Sequence, residues 1–150
     1  MPRELKLERN KIIEIMMRLE FFDKFSKIEL QRVLINNSQI LYFEKGDVIL
    51  KKDEISSAIY ILLSGSVLIV TDYQIITTMK EGMFFGEISF LTKEPRTASA
   101  LANDKCIVMK IDENIMENMH ISIREKIKDK IITKLISNLK EMNKKLDAVK

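Results

Sequence analysis

The most informative part of the chain reads Phe85-Gly86-Glu87-Ile88-Ser89-Phe90-Leu91-Thr92-Lys93-Glu94-Pro95-Arg96-Thr97-Ala98. Gly86 has no Cβ, so the backbone there can approach a ligand closely. The amides that follow are expected to open a helix, where free N–H groups and the positive end of the dipole favour an anion. Glu87 can accept hydrogen bonds from hydroxyls, and the planar fork of Arg96 can bind two phosphate oxygens. These residue types at this spacing suit a cyclic sugar-phosphate.

The same stretch resembles the phosphate-binding cassette of the cyclic nucleotide-binding domain family. That family includes regulatory subunits of cyclic-nucleotide-dependent kinases, cyclic-nucleotide-gated channels and bacterial catabolite-activator-type regulators. Its pattern is Phe-Gly-Glu, an aliphatic residue, a small residue, two apolar residues, a short spacer, and then Arg, a small residue and Ala. Residues 85–98 fill every one of these places, and the resemblance extends over roughly residues 21–143. Asp53 departs from the pattern because the family usually has glycine there, and the connection at 72–74 is shorter than usual.

The resemblance implies a role for each cassette residue. Glu87 would accept a hydrogen bond from the ribose 2′-hydroxyl, Arg96 would pair with the cyclic phosphate, and Thr97 would permit cGMP without selecting it over cAMP. Without such roles, Glu87 would cap its own helix and Arg96 would form a salt bridge with Glu94 or Glu87. The expected ligand-binding set is Phe85, Gly86, Glu87, Ile88, Ser89, Arg96, Thr97 and Ala98, with backbone amides of Gly86, Ile88, Ser89 and Ala98 around the sugar-phosphate.

The family also covers the base of the nucleotide with a residue of its last helix. No motif fixes which residue would do so here. The plausible positions are Lys134, Leu135, Ser137 and Asn138, and ordinary surface or packing roles remain open for each of them.

Length and composition favour a single domain over residues 1–150, since 150 residues that are 46% hydrophobic can bury a real core. The chain has one cysteine, Cys106, and one histidine, His120. An intramolecular disulfide, a thiolate metal cluster and a metal site of clustered histidines are therefore excluded, as is a catalytic set of the Ser-His-Asp or Cys-His kind. Cys106 lies in an apolar run and is predicted to be buried and inert. We expect no enzyme, no metal and no cofactor, with cAMP or cGMP as the ligand.

Short β-prone runs separated by turn signals fill the middle of the chain. They predict a mainly β fold with flanking helices, here a jelly-roll type of β-roll over 38–112. The resemblance implies eight strands, with N-terminal helices over 1–37 and C-terminal helices over 113–147. The predicted strand runs are 40–43, 48–50, 58–63, 67–70, 75–79, 97–102 and 106–111.

Helices are predicted at both ends of the chain. An apolar period over 5–22 indicates the first helix, and Ser26 with Glu29 forms a capping-box pattern for a second one that stops at 36–38. Asp112 is expected to cap a short helix toward Met119. Ser122 with Glu125 forms another capping-box pattern, at the start of a long helix over about 123–146.

The long helix carries one continuous apolar stripe and a basic excess. From residue 123 to the end there are nine Lys or Arg residues against four Asp or Glu residues, which usually indicates a solvated face. Part of the stripe should contact something beyond the roll. A homodimer through this helix is one possibility, and packing against the roll or the N-terminal helices is the other. The stripe is formed by Ile123, Ile127, Ile131, Leu135, Leu139, Met142 and Leu146.

The function predicted from these observations is a cyclic-nucleotide sensor that couples binding to movement of the C-terminal helix and signals to an unknown effector protein. The alternatives are a ligand-independent interaction module of the same fold and a truncated transcription regulator. Nucleic-acid binding is disfavoured, because too few residues follow the long helix for a helix-turn-helix motif. No signal peptide or membrane-spanning run is visible, so a cytoplasmic protein without membrane insertion is expected. The initial methionine favours a complete protein.

Overall fold

The computed structural model of the protein describes residues 3–4, 9–35 and 39–149. Within these residues the strands form two antiparallel sheets, in the orders β1-β2-β9-β4-β7 and β3-β8-β5-β6. Eight of the strands lie between Gln39 and Asp112, which confirms the predicted mainly β roll with flanking helices. The strands are β1 (Arg3–Glu4), β2 (Gln39–Phe43), β3 (Val48–Leu50), β4 (Ala58–Ser64), β5 (Val67–Val70), β6 (Ile75–Met79), β7 (Phe84–Phe85), β8 (Ser99–Ala102) and β9 (Cys106–Asp112).

Strand β4 separates two hydrophobic cores. Successive side chains of a strand point to opposite faces of its sheet. Ile59 and Ile61 accordingly pack into the core beneath the helices, whereas Tyr60 and Leu62 pack into the core between the two sheets. Because both faces are covered, this strand has a continuous apolar sequence rather than an alternating one.

Strand β7 is not predicted by the sequence pattern, because two residues are too few to show alternation. It pairs with β4, with Phe84 opposite Ile61 and Phe85 opposite Tyr60. Phe84 enters the core beneath the helices and Phe85 enters the core between the sheets. The residues that follow, 86–98, therefore start from a fixed point on the central sheet.

The first helix is shorter than predicted. It ends at Met17, and Glu20–Phe22 forms a separate 3-10 turn. Phe21 and Phe22 contact each other edge to face, with ring centroids 4.8 Å apart, and this tighter turn lets both rings enter the core. The predicted start at residue 5 and the predicted stop of the second helix at 36–38 lie outside the described residues. The helices are α1 (Arg9–Met17), α2 (Lys27–Ile35), α3 (Glu87–Thr92), α4 (Glu113–Asn118) and α5 (Ile121–Val149).

The predicted capping box of α2 is confirmed. The Ser26 amide donates to Glu29 Oε1 at 2.9 Å, and the Glu29 amide donates to Ser26 Oγ at 3.2 Å. Glu29 also pairs with Lys126 of α5. The Lys126 hydrogen bond and the Ser26 amide lower the pKa of Glu29 to about 2. One carboxylate thus caps α2 and ties the N-terminal helices to the first turns of α5.

The cap of α4 is also confirmed, since Asp112 Oδ1 accepts a hydrogen bond from the Ile115 amide at 2.8 Å. Cys106 is buried as predicted, and burial raises the pKa of its thiol.

The predicted capping box at Ser122 and Glu125 is wrong. Helix α5 begins at Ile121, so Ser122 lies inside its first turn. The Ser122 amide donates to His120 Nδ1 at 3.2 Å, and the His120 carbonyl accepts from the Ile123 amide. The histidine one residue before the helix supplies the acceptor that the pattern assigned to serine.

Helix α5 has an anchored half and an exposed half. Ile123, Ile127 and Ile131 are buried against the helical core. Farther along the helix, the apolar side chains at 132, 136, 139, 142 and 146 are all about half exposed or more. None of the described helices combines the length and the apolar character that a bilayer span requires.

Asp53 has an unusual backbone conformation, with φ at +72°. This is the left-handed region that glycine adopts without cost. Glycine is also the residue that the resemblance described above implies at this position. The Asp53 amide donates to the Arg96 carbonyl and the Arg96 amide donates to the Glu54 carbonyl, both at 2.9 Å. The loop therefore fixes the backbone of Arg96, and it does so with a strained residue.

Replacing Asp53 with glycine should stabilise the protein. We expect the free energy of unfolding to rise by about 0.5–1 kcal/mol, because the left-handed penalty of a residue with a Cβ is removed. Urea denaturation followed by circular dichroism measures this change. Glu54→Gly is the matched control, since Glu54 does not share the left-handed conformation; it should lower stability. If both variants lose stability, the backbone of Asp53 does not carry the expected strain.

Candidate functional site

A cavity of about 1010 Å³ lies between the four-stranded sheet, α3 and α5. It is lined by every residue of the predicted ligand-binding set, including both Glu87 and Arg96. The two side chains therefore face a common space, as the spacing of the cassette requires. The predicted residues that line it are Phe85, Gly86, Glu87, Ile88, Ser89, Arg96, Thr97 and Ala98.

Gly86 joins β7 to α3 and has φ at +86°. A Cβ added there would lie 2.8 Å from Arg96 Nη1 and 2.9 Å from the Ala58 carbonyl oxygen. Glycine is thus needed for two reasons, namely the left-handed backbone and the space that the guanidinium occupies. The amides of α3 begin directly beside the cavity.

Arg96 is buried, with 4% of its surface exposed. Its Nη1 donates to the Gly86 carbonyl at 2.8 Å and its Nη2 donates to the Ala58 carbonyl at 3.1 Å. The guanidinium lies over the Tyr60 ring, 5.9 Å from the centroid. Its buried Nε has no hydrogen-bond partner among the described residues.

No carboxylate of the described residues forms an ion pair with Arg96. The alternative prediction of a salt bridge to Glu94 or Glu87 is therefore wrong. Desolvation by burial lowers the pKa of Arg96, and the nearby Tyr60 and Glu87 oppose this only in part. The cavity wall thus carries a buried cation that has no ion-pair partner among the described residues, which is an arrangement that an anion would stabilise.

Glu87, the first residue of α3, is 5% exposed and does have a counter-ion. Lys134 of α5 places its Nζ 2.9 Å from Glu87 Oε1. The same ammonium donates to the Phe84 carbonyl and lies 4.4 Å from the centroid of the Phe84 ring. The structure thus gives Glu87 and Arg96 different partners, a lysine for the carboxylate and two backbone carbonyls for the guanidinium.

Three of the four positions considered for covering a base line the cavity. They are Lys134, Ser137 and Asn138. Leu135 instead packs against the core beneath the helices. The difference follows from the helical period, because residues one position apart lie about 100° around the helix axis.

Several further lining residues are not identifiable from sequence. Thr77 of β6 and Ile69 of β5 line the cavity, as do Glu141 and Lys145 of α5. The strand residues carry no motif, and only the pairing of β5 with β6 and β8 brings them to the cassette. No group of three potential metal-ligating side chains occurs in the part of the chain that the structure describes.

Comparison with known proteins gives matches along most of the chain. A family model described as the cyclic nucleotide-binding domain matches residues 40–122. A cGMP-dependent protein kinase of Eimeria tenella is 26% identical over 107 residues, which is 71% of this chain and 10% of the kinase. A cGMP-dependent protein kinase of Plasmodium berghei is 31% identical over 93 residues, 56% of this chain and 11% of the kinase. The chain therefore matches only about a tenth of the length of these curated relatives.

A solved structure has the same fold. The crystal structure of a cyclic nucleotide-binding domain from Methylobacillus flagellatus KT superposes with a TM-score of 0.76 and 19% identity, and covers 95% of this chain and 84% of that one. At this identity the similarity supports the fold, including the long C-terminal helix.

Replacing Gly86 with alanine should disturb the site beyond the cost of a strained backbone. Gly46 is the matched control, because its φ is +91° and an added Cβ would have nothing within 4 Å. Gly46→Ala should lower the free energy of unfolding by about 1–2 kcal/mol through strain alone. Gly86→Ala should cost about 1–3 kcal/mol more, because the methyl group overlaps Arg96 and the Ala58 carbonyl. Chemical denaturation of both variants measures the difference, and equal losses would contradict the close approach at Gly86.

Proposed function

The chain belongs to the cyclic nucleotide-binding domain family, and from this we propose that it is a regulatory module that binds cAMP or cGMP and couples binding to the position of α5. The observation that carries the proposal is Arg96, a buried guanidinium on the cavity wall with two carbonyl contacts. Within the residues that the structure describes, its Nε has no hydrogen-bond partner and no carboxylate pairs with it. A cyclic phosphate carries one negative charge and would supply the missing counter-ion.

The remaining cassette residues would bind the other parts of the nucleotide. Glu87 would accept a hydrogen bond from the ribose 2′-hydroxyl, while amides near the start of α3 would surround the sugar-phosphate. Thr97 lines the same cavity and would permit a guanine base without excluding adenine. The whole predicted set, Phe85, Gly86, Glu87, Ile88, Ser89, Arg96, Thr97 and Ala98, takes part in this arrangement.

Helix α5 is the element through which binding would be reported. Its first turns are buried against the N-terminal helices and β-roll, whereas Lys134, Ser137 and Asn138 line the cavity farther along. A ligand shifts such a helix only if it binds the docked position better than the released one. Contacts between the base and Ser137 or Asn138 would provide that difference.

The proposed role is binding rather than catalysis, and the module would act on a separate effector. The cassette supplies the cavity with backbone amides, the Glu87 carboxylate and the Arg96 guanidinium, which are groups that hold a nucleotide. A cytoplasmic location stays a prediction of the sequence.

Titration with nucleotides tests the proposal. Isothermal titration calorimetry should detect binding of cAMP or cGMP, and 5′-AMP serves as a control that lacks the cyclic phosphate. Arg96→Ala should weaken binding by about 2–3 kcal/mol, the usual cost of losing a charged hydrogen-bond partner. Arg96→Lys keeps the charge but loses the planar fork, so its affinity should lie between those of the wild-type protein and Arg96→Ala.

The same titration separates the proposal from a ligand-independent interaction module. If neither cyclic nucleotide binds at high micromolar concentration, and neither raises the melting temperature of the protein, the module does not use a nucleotide. A true ligand raises the melting temperature by mass action, so the two measurements must agree.

We also propose that the exposed half of α5 pairs with a second copy of the chain. The apolar side chains of Ile132, Ile136, Leu139, Met142 and Leu146 recur at spacings of three and four, and they stay exposed rather than packing against the roll. Such a stripe matches the seam of two paired helices.

Light scattering after size-exclusion chromatography tests the pairing. The wild-type protein should elute at twice the monomer mass, and the double variant Leu139→Lys with Met142→Lys should be a monomer, since charges would enter the apolar seam. Lys140→Ala, on an exposed face of the same turns, should leave the mass unchanged. If the wild-type protein is a monomer at every concentration up to about 0.1 mM, at which even a weak dimer would form, the proposal is refuted.

A further inference from the structure

Lys134 makes one contact with the cassette and two with Phe84, the residue just before it. Its Nζ lies 2.9 Å from Glu87 Oε1, donates to the Phe84 carbonyl, and sits above the Phe84 ring. These contacts join the middle of α5 to both β7 and α3. No other ion pair among the described residues links α5 to the cassette.

The position of this contact matters because Glu87 is almost completely buried. A buried carboxylate without a counter-ion is costly, and Arg96 forms no ion pair with Glu87 because its Nη1 and Nη2 donate to backbone carbonyls. Lys134 is therefore the ion-pair partner that stabilises the Glu87 carboxylate in the cavity wall. It also restrains the rotamer of that side chain, since the ammonium is held by the Phe84 carbonyl at the same time.

The contact still leaves Glu87 able to bind a ligand. Lys134 pairs with Oε1, and a carboxylate has about four lone-pair sites on two oxygens. A hydroxyl donor from the cavity can therefore bind the carboxylate while the lysine remains in place. The ion pair holds the acceptor in position and does not block it.

Resting on the proposed nucleotide-binding function, we propose that Lys134 is a positioning residue that sets ligand affinity through Glu87, by holding its carboxylate ready for the ribose 2′-hydroxyl. The lysine does not itself contact the ribose in this arrangement. Its effect on binding thus exists only for a ligand that has a 2′-hydroxyl. Because the lysine is on α5, a movement of that helix would also change how firmly the Glu87 carboxylate is held.

A comparison of ribose with 2′-deoxyribose ligands tests the proposal. The probe is whichever of cAMP and cGMP binds the wild-type protein more tightly, together with its 2′-deoxy form, both titrated by calorimetry. Lys134→Met should weaken binding of the ribose form by about fivefold to tenfold and binding of the 2′-deoxy form by less than about twofold, since one charge-assisted hydrogen bond is affected. Lys134→Arg should restore most of the affinity. Lys128→Met, which removes an exposed lysine from the same helix, should change neither affinity.

The outcomes separate the possible explanations. Equal losses for the two ligands would mean that Lys134 acts by general electrostatics or by folding, and tighter binding in Lys134→Met would mean that it competes with the ribose; either result overturns the proposal. In a Glu87→Gln background, Lys134→Met should have no further effect, and an undiminished effect there would also overturn it. If the wild-type protein binds no cyclic nucleotide, the proposed function fails and this inference fails with it, a result that differs visibly from binding with equal losses.

Discussion

Arg96 is held by two backbone carbonyls that come from separate parts of the chain, Gly86 at the start of α3 and Ala58 at the start of β4. A carbonyl satisfies the donors of a guanidinium without cancelling its charge. The side chain is therefore fixed in direction and remains a cation inside a mostly apolar wall. This requirement explains why position 86 must be glycine and why the loop at 53–54 is bonded to the backbone of Arg96.

The central sheet connects the surroundings of this cation with α5. Tyr60 of β4 lies beneath Arg96 and stacks on Phe85, with ring centroids 5.5 Å apart. The next residue back, Phe84, points to the opposite face of the sheet, where Lys134 contacts it. One two-residue strand thus connects the anion end of the cavity with the helix, because its two side chains lie on opposite faces of the sheet.

The features that were predictable from sequence are those carried by neighbouring residues. The cassette is a contiguous motif, and the caps at Ser26 and Asp112 involve partners three residues away. The missed features need contacts between distant residues or lack a pattern altogether. The Lys134 ion pair spans 47 positions, β7 is too short to show alternation, and the cap of α5 uses a histidine that no capping-box pattern contains.

Helix α5 links the cavity to the exposed apolar stripe, because its first half is anchored and its second half is exposed. Ile123 and Ile127 hold the first turns in place, and Lys134 fastens the middle of the helix to the cassette. The apolar side chains that stay exposed are those of Ile132, Ile136, Leu139, Met142 and Leu146. A second copy that binds this stripe would favour one position of the helix, and a ligand in the cavity would favour one as well. If both favour the docked position, each must strengthen the binding of the other by the same factor, because coupling between two equilibria is reciprocal. The ligand would then promote pairing of the helices, and pairing would promote ligand binding, whichever of the two binds first.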